Sequence, residues 1–154
     1  MEAFHGVVKE LAQHLKLDVP DLNEATAVVT IDDVDILLEW DGRSGGDDLV
    51  VFAEIGIVPE ECESNAYRAF LEGNLFWSGT GDATIGVNSD SRMAVVAYKT
   101  GLSGLTGEAL SHLVAGFVNV VETWKTVLQQ VIDQGTDSQS ATETTAVTAG
   151  MLQA

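Results

Sequence analysis

Basic residues are scarce in this chain. Seven lysines and arginines stand against 24 aspartates and glutamates, for a formal charge of −17. So few cations cannot neutralise a phosphate backbone, which argues against nucleic acid and against anionic membrane surfaces as partners. Charge of this sign suits a soluble protein that handles basic or apolar polypeptide. Cysteine is rarer still. Cys62 stands alone, so no disulfide framework and no cysteine metal site is expected. No apolar run approaches the roughly 18 residues of a membrane-crossing helix, so no membrane insertion is expected. The stretch from Met1 to Glu10 has an acid at its second residue and no long apolar core, so it does not read as a secretory signal. The cytoplasm is the default compartment.

What is present suffices for a core. The 154 residues fit one domain, and 45% of them are apolar. From Ala3 to Lys16, Phe4, Val8, Leu11 and Leu15 recur at helical spacing and Val7 widens the stripe. Pro20 and the segment from Asp18 to Glu24 read as a loop that ends this helix. Three strands follow: Ala25–Asp32, Val34–Trp40 and Leu49–Ile55, each with alternating apolar residues. Their links, around Asp32-Asp33 and over Asp41–Asp47, carry turn residues, so the three form an antiparallel meander.

Pro59 opens a second helix, with Glu60, Glu61 and Glu63 where the helix dipole favours acids. Ala66, Tyr67, Phe70, Leu71 and Asn74 form its stripe, and the Gly79-Thr80-Gly81 corner stops it. A second hairpin spans Asp82–Asn88 and Met93–Lys99. Glu108–Ile132 reads as a long helix: Leu110, Val114, Phe117, Val121, Trp124, Leu128 and Val131 keep four-three spacing. At 1.5 Å per residue it would be about 35 Å long. From Gln134 to Ala154 the composition turns to Ser, Thr, Gln, Ala and Gly, which predicts a flexible polar tail over 134–154 after a domain over 1–133. The fold class is therefore α+β. The order is α-β-β-β-α-β-β-α, with a twisted antiparallel sheet packed by three helices.

No motif of enzyme chemistry survives inspection. Asp32, Asp33, Asp35, Asp41, Asp47 and Asp48 suggest calcium, but the spacing and central glycine of a calcium loop are missing. Solvated turns account for them. Gly79-Thr80-Gly81 leads into a strand and lacks the Lys-Ser/Thr of a phosphate loop, so its glycines are expected to serve a sharp turn. His5, His14 and His112 form no metal pattern, Ser78 lacks a nucleophile elbow, and Cys62 sits among glutamates. No cofactor and no catalytic residue is expected. The apolar faces are the surplus. Leu37, Val50 and Phe52 lie on the second faces of their strands, beyond what a two-layer domain buries, and this points to partner contact.

Phe70-Leu71-Glu72-Gly73-Asn74-Leu75-Phe76-Trp77, followed by Gly79-Thr80-Gly81-Asp82-Ala83-Thr84-Ile85-Gly86, resembles the Tir chaperone (CesT) family. These are the class I chaperones of bacterial type III secretion. Val34–Glu39, Asp48–Gly56 and the helix around Glu122-Thr123-Trp124 match in the same order. The family often has alanine at the position of Gly73 and a second glycine at that of Asp82, so the chain departs there. The resemblance implies a homodimeric, non-enzymatic, ATP-independent chaperone. It would hold the N-terminal segment of a secreted effector in extended form, with the secretion ATPase as a candidate further partner. It also implies effector grooves beside the first helix, formed by Phe4, Val7, Val8, Leu11 and Leu15, with Val28, Thr30, Val50 and Phe52 as further contacts. The dimer contact would fall on Tyr67, Phe70, Leu71, Leu75, Phe76, Trp77 and Ile85. The competing readings are a regulatory protein-binding module of the same fold outside secretion, and an acidic metal-dependent hydrolase resting only on the aspartates.

Overall fold

The computed structural model describes residues 1–18, 22, 25–43 and 46–150, with side chains through Gly135 in the last helix. Helix α1 spans Glu2–Leu15, followed by strands β1 (Thr26–Ile31), β2 (Val34–Asp41) and β3 (Asp48–Ile57). A 3-10 turn over Glu60–Cys62 leads into α2 (Glu63–Asn74), and a second over Leu75–Trp77 precedes β4 (Thr84–Val87). Strand β5 (Met93–Gly101) and helix α3 (Gly107–Gly150) complete the order expected from periodicity.

The five strands form one antiparallel sheet in the order β1-β2-β3-β5-β4. Alternation decides its faces. Ala27 and Val29, Val34, Ile36 and Leu38, Leu49, Val51 and Ala53, and Ala94 and Val96 all point to the helical side and are buried there. Helices α1 and α3 lie against each other on that side, α3 crosses β3, and α2 lies beside β4. The stripe of α3 behaves as its spacing predicts: Leu110, Val114, Phe117, Val121, Trp124 and Leu128 are buried.

Turn chemistry explains the aspartate doublet. Asp32 and Asp33 have φ of 49° and 63° and join the paired Ile31 and Val34. Two left-handed residues match the twist of a two-residue hairpin, and aspartate tolerates them. The end of α1 is more abrupt than a loop near Pro20 would make it. Lys16 adopts φ 55°, and the N–H groups of Leu17 and Lys16 donate to the carbonyls of Ala12 and Gln13 at 2.9 and 3.3 Å. This is a Schellman closure on a residue other than glycine. The expected loop over 18–24 falls largely outside the described residues, as do Ser44 and Gly45.

Helix α3 starts under a cap shared by two elements. Thr106 Oγ1 accepts from the Ala109 N–H at 3.2 Å, and Glu10 of α1 accepts from the Gly107 N–H at 2.8 Å. A carboxylate belongs at that positive helix end. At its other end α3 continues past Ile132, where the apolar spacing stops, to Gly150. Adding one residue to a packed helix costs little once the nucleus exists, and Ala, Gln and Glu in this segment tolerate it. Among the described side chains of α3, Leu128 is the last buried apolar one, with Val131 and Ile132 half-buried against the core. Gly135 backs onto the Cys62 sulfur. Removal of residues 136–154 keeps every one of these core contacts and is expected to leave the thermal midpoint within about 2 °C of the full chain, the polar Ser, Thr and Gln composition of the segment offering little to bury. A calorimetric scan showing a larger loss would mean that the segment is docked.

Candidate partner-binding surfaces

The corner between α2 and β4 is built around one tryptophan. Trp124 of α3 lays its ring on Gly73; a Cβ there would stand 2.1 Å from ring carbon Cζ2. Its Nε1 donates to the Gly79 carbonyl at 2.8 Å, and its ring meets Phe70 edge-on at 5.8 Å. The Gly79 N–H in turn donates to the Gly73 carbonyl at 3.1 Å. Gly73 is thus required by close approach of the tryptophan rather than by an unusual φ. Periodicity shows Gly73 as a weak helix residue, and nothing local signals a ring 51 positions later in sequence, Trp124, resting on it.

The next device is Asn74. Its side-chain amide donates from Nδ2 to the Ile85 carbonyl at 3.0 Å, and its Oδ1 accepts from the Ile85 N–H at 2.9 Å. The amide takes the place of a sixth strand on the outer edge of β4 and satisfies both backbone groups there. Sequence reasoning places Asn74 in a helix stripe and misses this role.

Beyond Asn74 the chain turns outward. Phe76 is 84% exposed, Leu71 71% and Trp77 55%, with Leu75 exposed beside them. Phe76 and Trp77 adopt left-handed φ of 53° and 54°, which bulky residues rarely do. The same patch continues into an apolar hollow of about 210 Å³ between α2 and β4, floored by Phe70, Ile85 and Val87. Of the residues expected at a dimer contact, Leu71, Leu75, Phe76 and Trp77 are exposed, Tyr67 is half-buried, and Phe70 and Ile85 are buried within the chain.

The second candidate surface is the outer face of the sheet, opposite the helices. Register aligns Val28 with Leu37, Leu37 with Phe52, Phe52 with Ala97, and Ala97 with Thr84. Val28 is exposed, and Leu37, Phe52 and Ala97 are half-exposed. An apolar row therefore crosses the sheet from β1 to β5 and ends at Thr84 of β4. Acids flank it: Asp35, which accepts from Thr30 Oγ1 at 2.7 Å, and Glu54 on one side, Glu39 beside Val50 on the other. The first-helix residues lie elsewhere. Phe4, Val8 and Leu11 are fully buried, Val7 is nearly so, and Leu15 is half-buried against the core. Their stripe packs inward on the sheet and α3, so they line no surface groove in this conformation.

A polar cluster braces one end of the sheet. Asp41, buried at the end of β2, accepts from Arg43 Nε at 2.8 Å, from the Arg43 N–H at 3.0 Å and from Lys99 Nζ at 3.0 Å. Lys99 also pairs with Asp48 at 3.0 Å, so β2, β3 and β5 are tied together. The hydrogen bonds from Arg43, then from Lys99, hold the Asp41 carboxyl far below the usual carboxylate range. A depressed native pKa means that the folded chain binds fewer protons, so this contribution is intact above the unfolded aspartate value of about 4 and fades as pH falls below it. Asp41→Asn is expected to lower the thermal midpoint at pH 7, and the gap to wild type should narrow below about pH 4. A gap independent of pH would overturn the assignment.

These features coincide with a known pattern of sequence. The profile of the Tir chaperone protein (CesT) family matches residues 6–125. The chain belongs to that family. No curated protein matches it by sequence. Among solved structures, a chain of the ExsC–ExsE complex superposes with a TM-score of 0.66 at 19% identity, covering 80% of this chain and 92% of that one. A chain of the HopA1–SchA chaperone–effector complex gives 0.63 at 13%, covering 80% and 93%. A chain of the heterodimeric ExoU–SpcU complex from the type III secretion system of Pseudomonas aeruginosa gives 0.58 at 18%, covering 80% and 95%. At these identities the likeness is one of fold. For this CesT-family chain, the fold expected from the sequence is the one observed: one open antiparallel sheet with three helices. Among its described residues no helix is long and apolar enough to cross a membrane.

Proposed function

We propose that this CesT-family protein is a homodimeric type III secretion chaperone. It binds the N-terminal segment of an effector in extended form and keeps it secretion-competent without ATP or other catalysis. The observation that carries the reading is the apolar row on the outer face of the sheet, uncovered in a chain of a chaperone family. An extended segment can place alternate side chains along such a row. Val28, Thr30, Val50 and Phe52, with Leu37, are the contacts we assign to it. Strand addition has one natural place. The edge of β4 is occupied by Asn74, whereas β1 ends the sheet on the other side. The corner patch around Leu71 and Phe76 is assigned to the second copy of the chain.

Co-expression with the effector encoded beside the gene tests the proposal. The effector's N-terminal segment should co-purify in the absence of nucleotide, its protected amides should be confined to the stretch paired with the sheet edge, and Phe52→Asp should release it. Failure of any effector segment to co-purify would sink the reading.

A further inference from the structure

The apolar hollow between α2 and β4 is open to solvent in the single chain. Tyr67, Phe70, Leu71 and Asn74 of α2 line one side and Ile85 and Val87 of β4 the other, around about 210 Å³. No charged residue lines it, in a chain with 24 acids. An apolar cavity of about 150 Å³ takes up a benzene ring, so a phenyl group fits this one. Phe76 stands beyond the end of α2 and is the most exposed large apolar residue of the corner. Its φ of 53°, and the 54° of Trp77, are costly for bulky side chains. Such a backbone persists where its surroundings hold it, and a ring left 84% exposed is held little by its own chain.

We infer that Phe76 of each protomer fills the hollow of the other across a two-fold axis. The inference deepens the homodimer of the proposed function and rests on it. An isologous contact needs one patch that complements itself, and this corner carries both a projection and a recess. The hollow runs along α2 from Tyr67 to Asn74, and Phe76 follows the end of that helix. Two α2 helices set antiparallel across the axis bring each ring to the recess of the second copy. Charge favours the same occupant. Two chains of −17 repel over most of their surfaces, and an uncharged corner lets them meet without burying unpaired acids. A client side chain in the hollow would leave Phe76 itself uncovered.

The test uses dimers mixed from isotope-labelled and unlabelled full-length chains. Isotope-filtered NMR, which reads only contacts between copies, should link the Phe76 ring of one to the Ile85 and Val87 methyl groups of the other. Sedimentation at a series of concentrations gives a second measurement. Phe76→Ala removes the ring, and Val87→Phe fills the hollow from within. Each should raise the dimer dissociation constant, Phe76→Ala by about a hundredfold because the two-fold counts the loss twice. The double variant should bind at least about tenfold more tightly than the product of the two effects, since the new ring takes the space of the old one. The NMR contacts need no substitution, so they decide even where Val87→Phe misfolds. A monomeric wild type would remove the homodimer and this inference together. A dimer without the Phe76 contacts, or one in which folded variants act independently, would overturn the inference alone and leave the homodimer standing.

Discussion

Leu71→Glu or Phe76→Glu is expected to convert a dimer into a monomer in light-scattering measurements at micromolar concentration. Both side chains stand in solvent in the single chain, at 71% and 84% exposure, so neither change removes a core contact of the protomer. Covering a leucine or phenylalanine fully is worth roughly 1.5–3 kcal/mol, and a two-fold interface counts each substitution twice. A glutamate adds the cost of burying an unpaired charge. Together these weaken the dimer by at least about a hundredfold. The left-handed backbone at Phe76 and Trp77 supports the same assignment, because strain of this kind persists where surroundings over-determine it. The thermal midpoint of the isolated protomer should be little changed, which separates interface loss from misfolding. A dimer unaffected by both substitutions would show that the interface is placed wrongly.

Gly73→Ala is expected to destabilise the protomer by about 2 kcal/mol or more, despite the better helix propensity of alanine. The new methyl would collide with Trp124 at 2.1 Å from Cζ2 and 2.3 Å from Cη2. The ring cannot retreat cheaply, since its Nε1 is held by the Gly79 carbonyl and its edge by Phe70. Overpacking of this size typically costs about 1–3 kcal/mol. A denaturant titration of the single variants and of Gly73→Ala with Trp124→Leu supplies the check. The double variant should be more stable than the sum of the two losses predicts, because the smaller side chain makes room for the methyl. Strict additivity would mean that Gly73 and Trp124 do not share this contact.

Much of the protein is legible in its residues. The α1 stripe, the alternation of β1 to β3 and the four-three spacing of α3 each predict an element, because burying one face imposes a period of 3.6 or 2. The FLEGNLFW corner and its glycines point to the family, and the short supply of cations narrows the partners. Periodicity also shows which strands are apolar on two faces, and Leu37, Val50 and Phe52 stand out by alternation alone. It does not show what each face meets. The resemblance implies a groove at Phe4, Val8 and Leu11, whereas in the structure all three are buried in the core with the sheet and α3. The end of α3 escapes the same signal, because the apolar spacing stops at Ile132 whereas the helical backbone continues without it.

The residues that define the sites depend on packing still more. Asn74 completes the edge of β4 only because α2 lies beside that strand. Asp41 is held ionised in part by Lys99, reached from another strand of the sheet, and Thr80 has no partner because the corner folds its hydroxyl inward. Each depends on how distant or sharply turned segments meet, which no local period encodes. Sequence alone determined the order of elements, the α+β class and the family. Tertiary packing alone decided that Gly73 must be glycine, which apolar residues stand in solvent in the single chain, and which polar groups are buried without a partner.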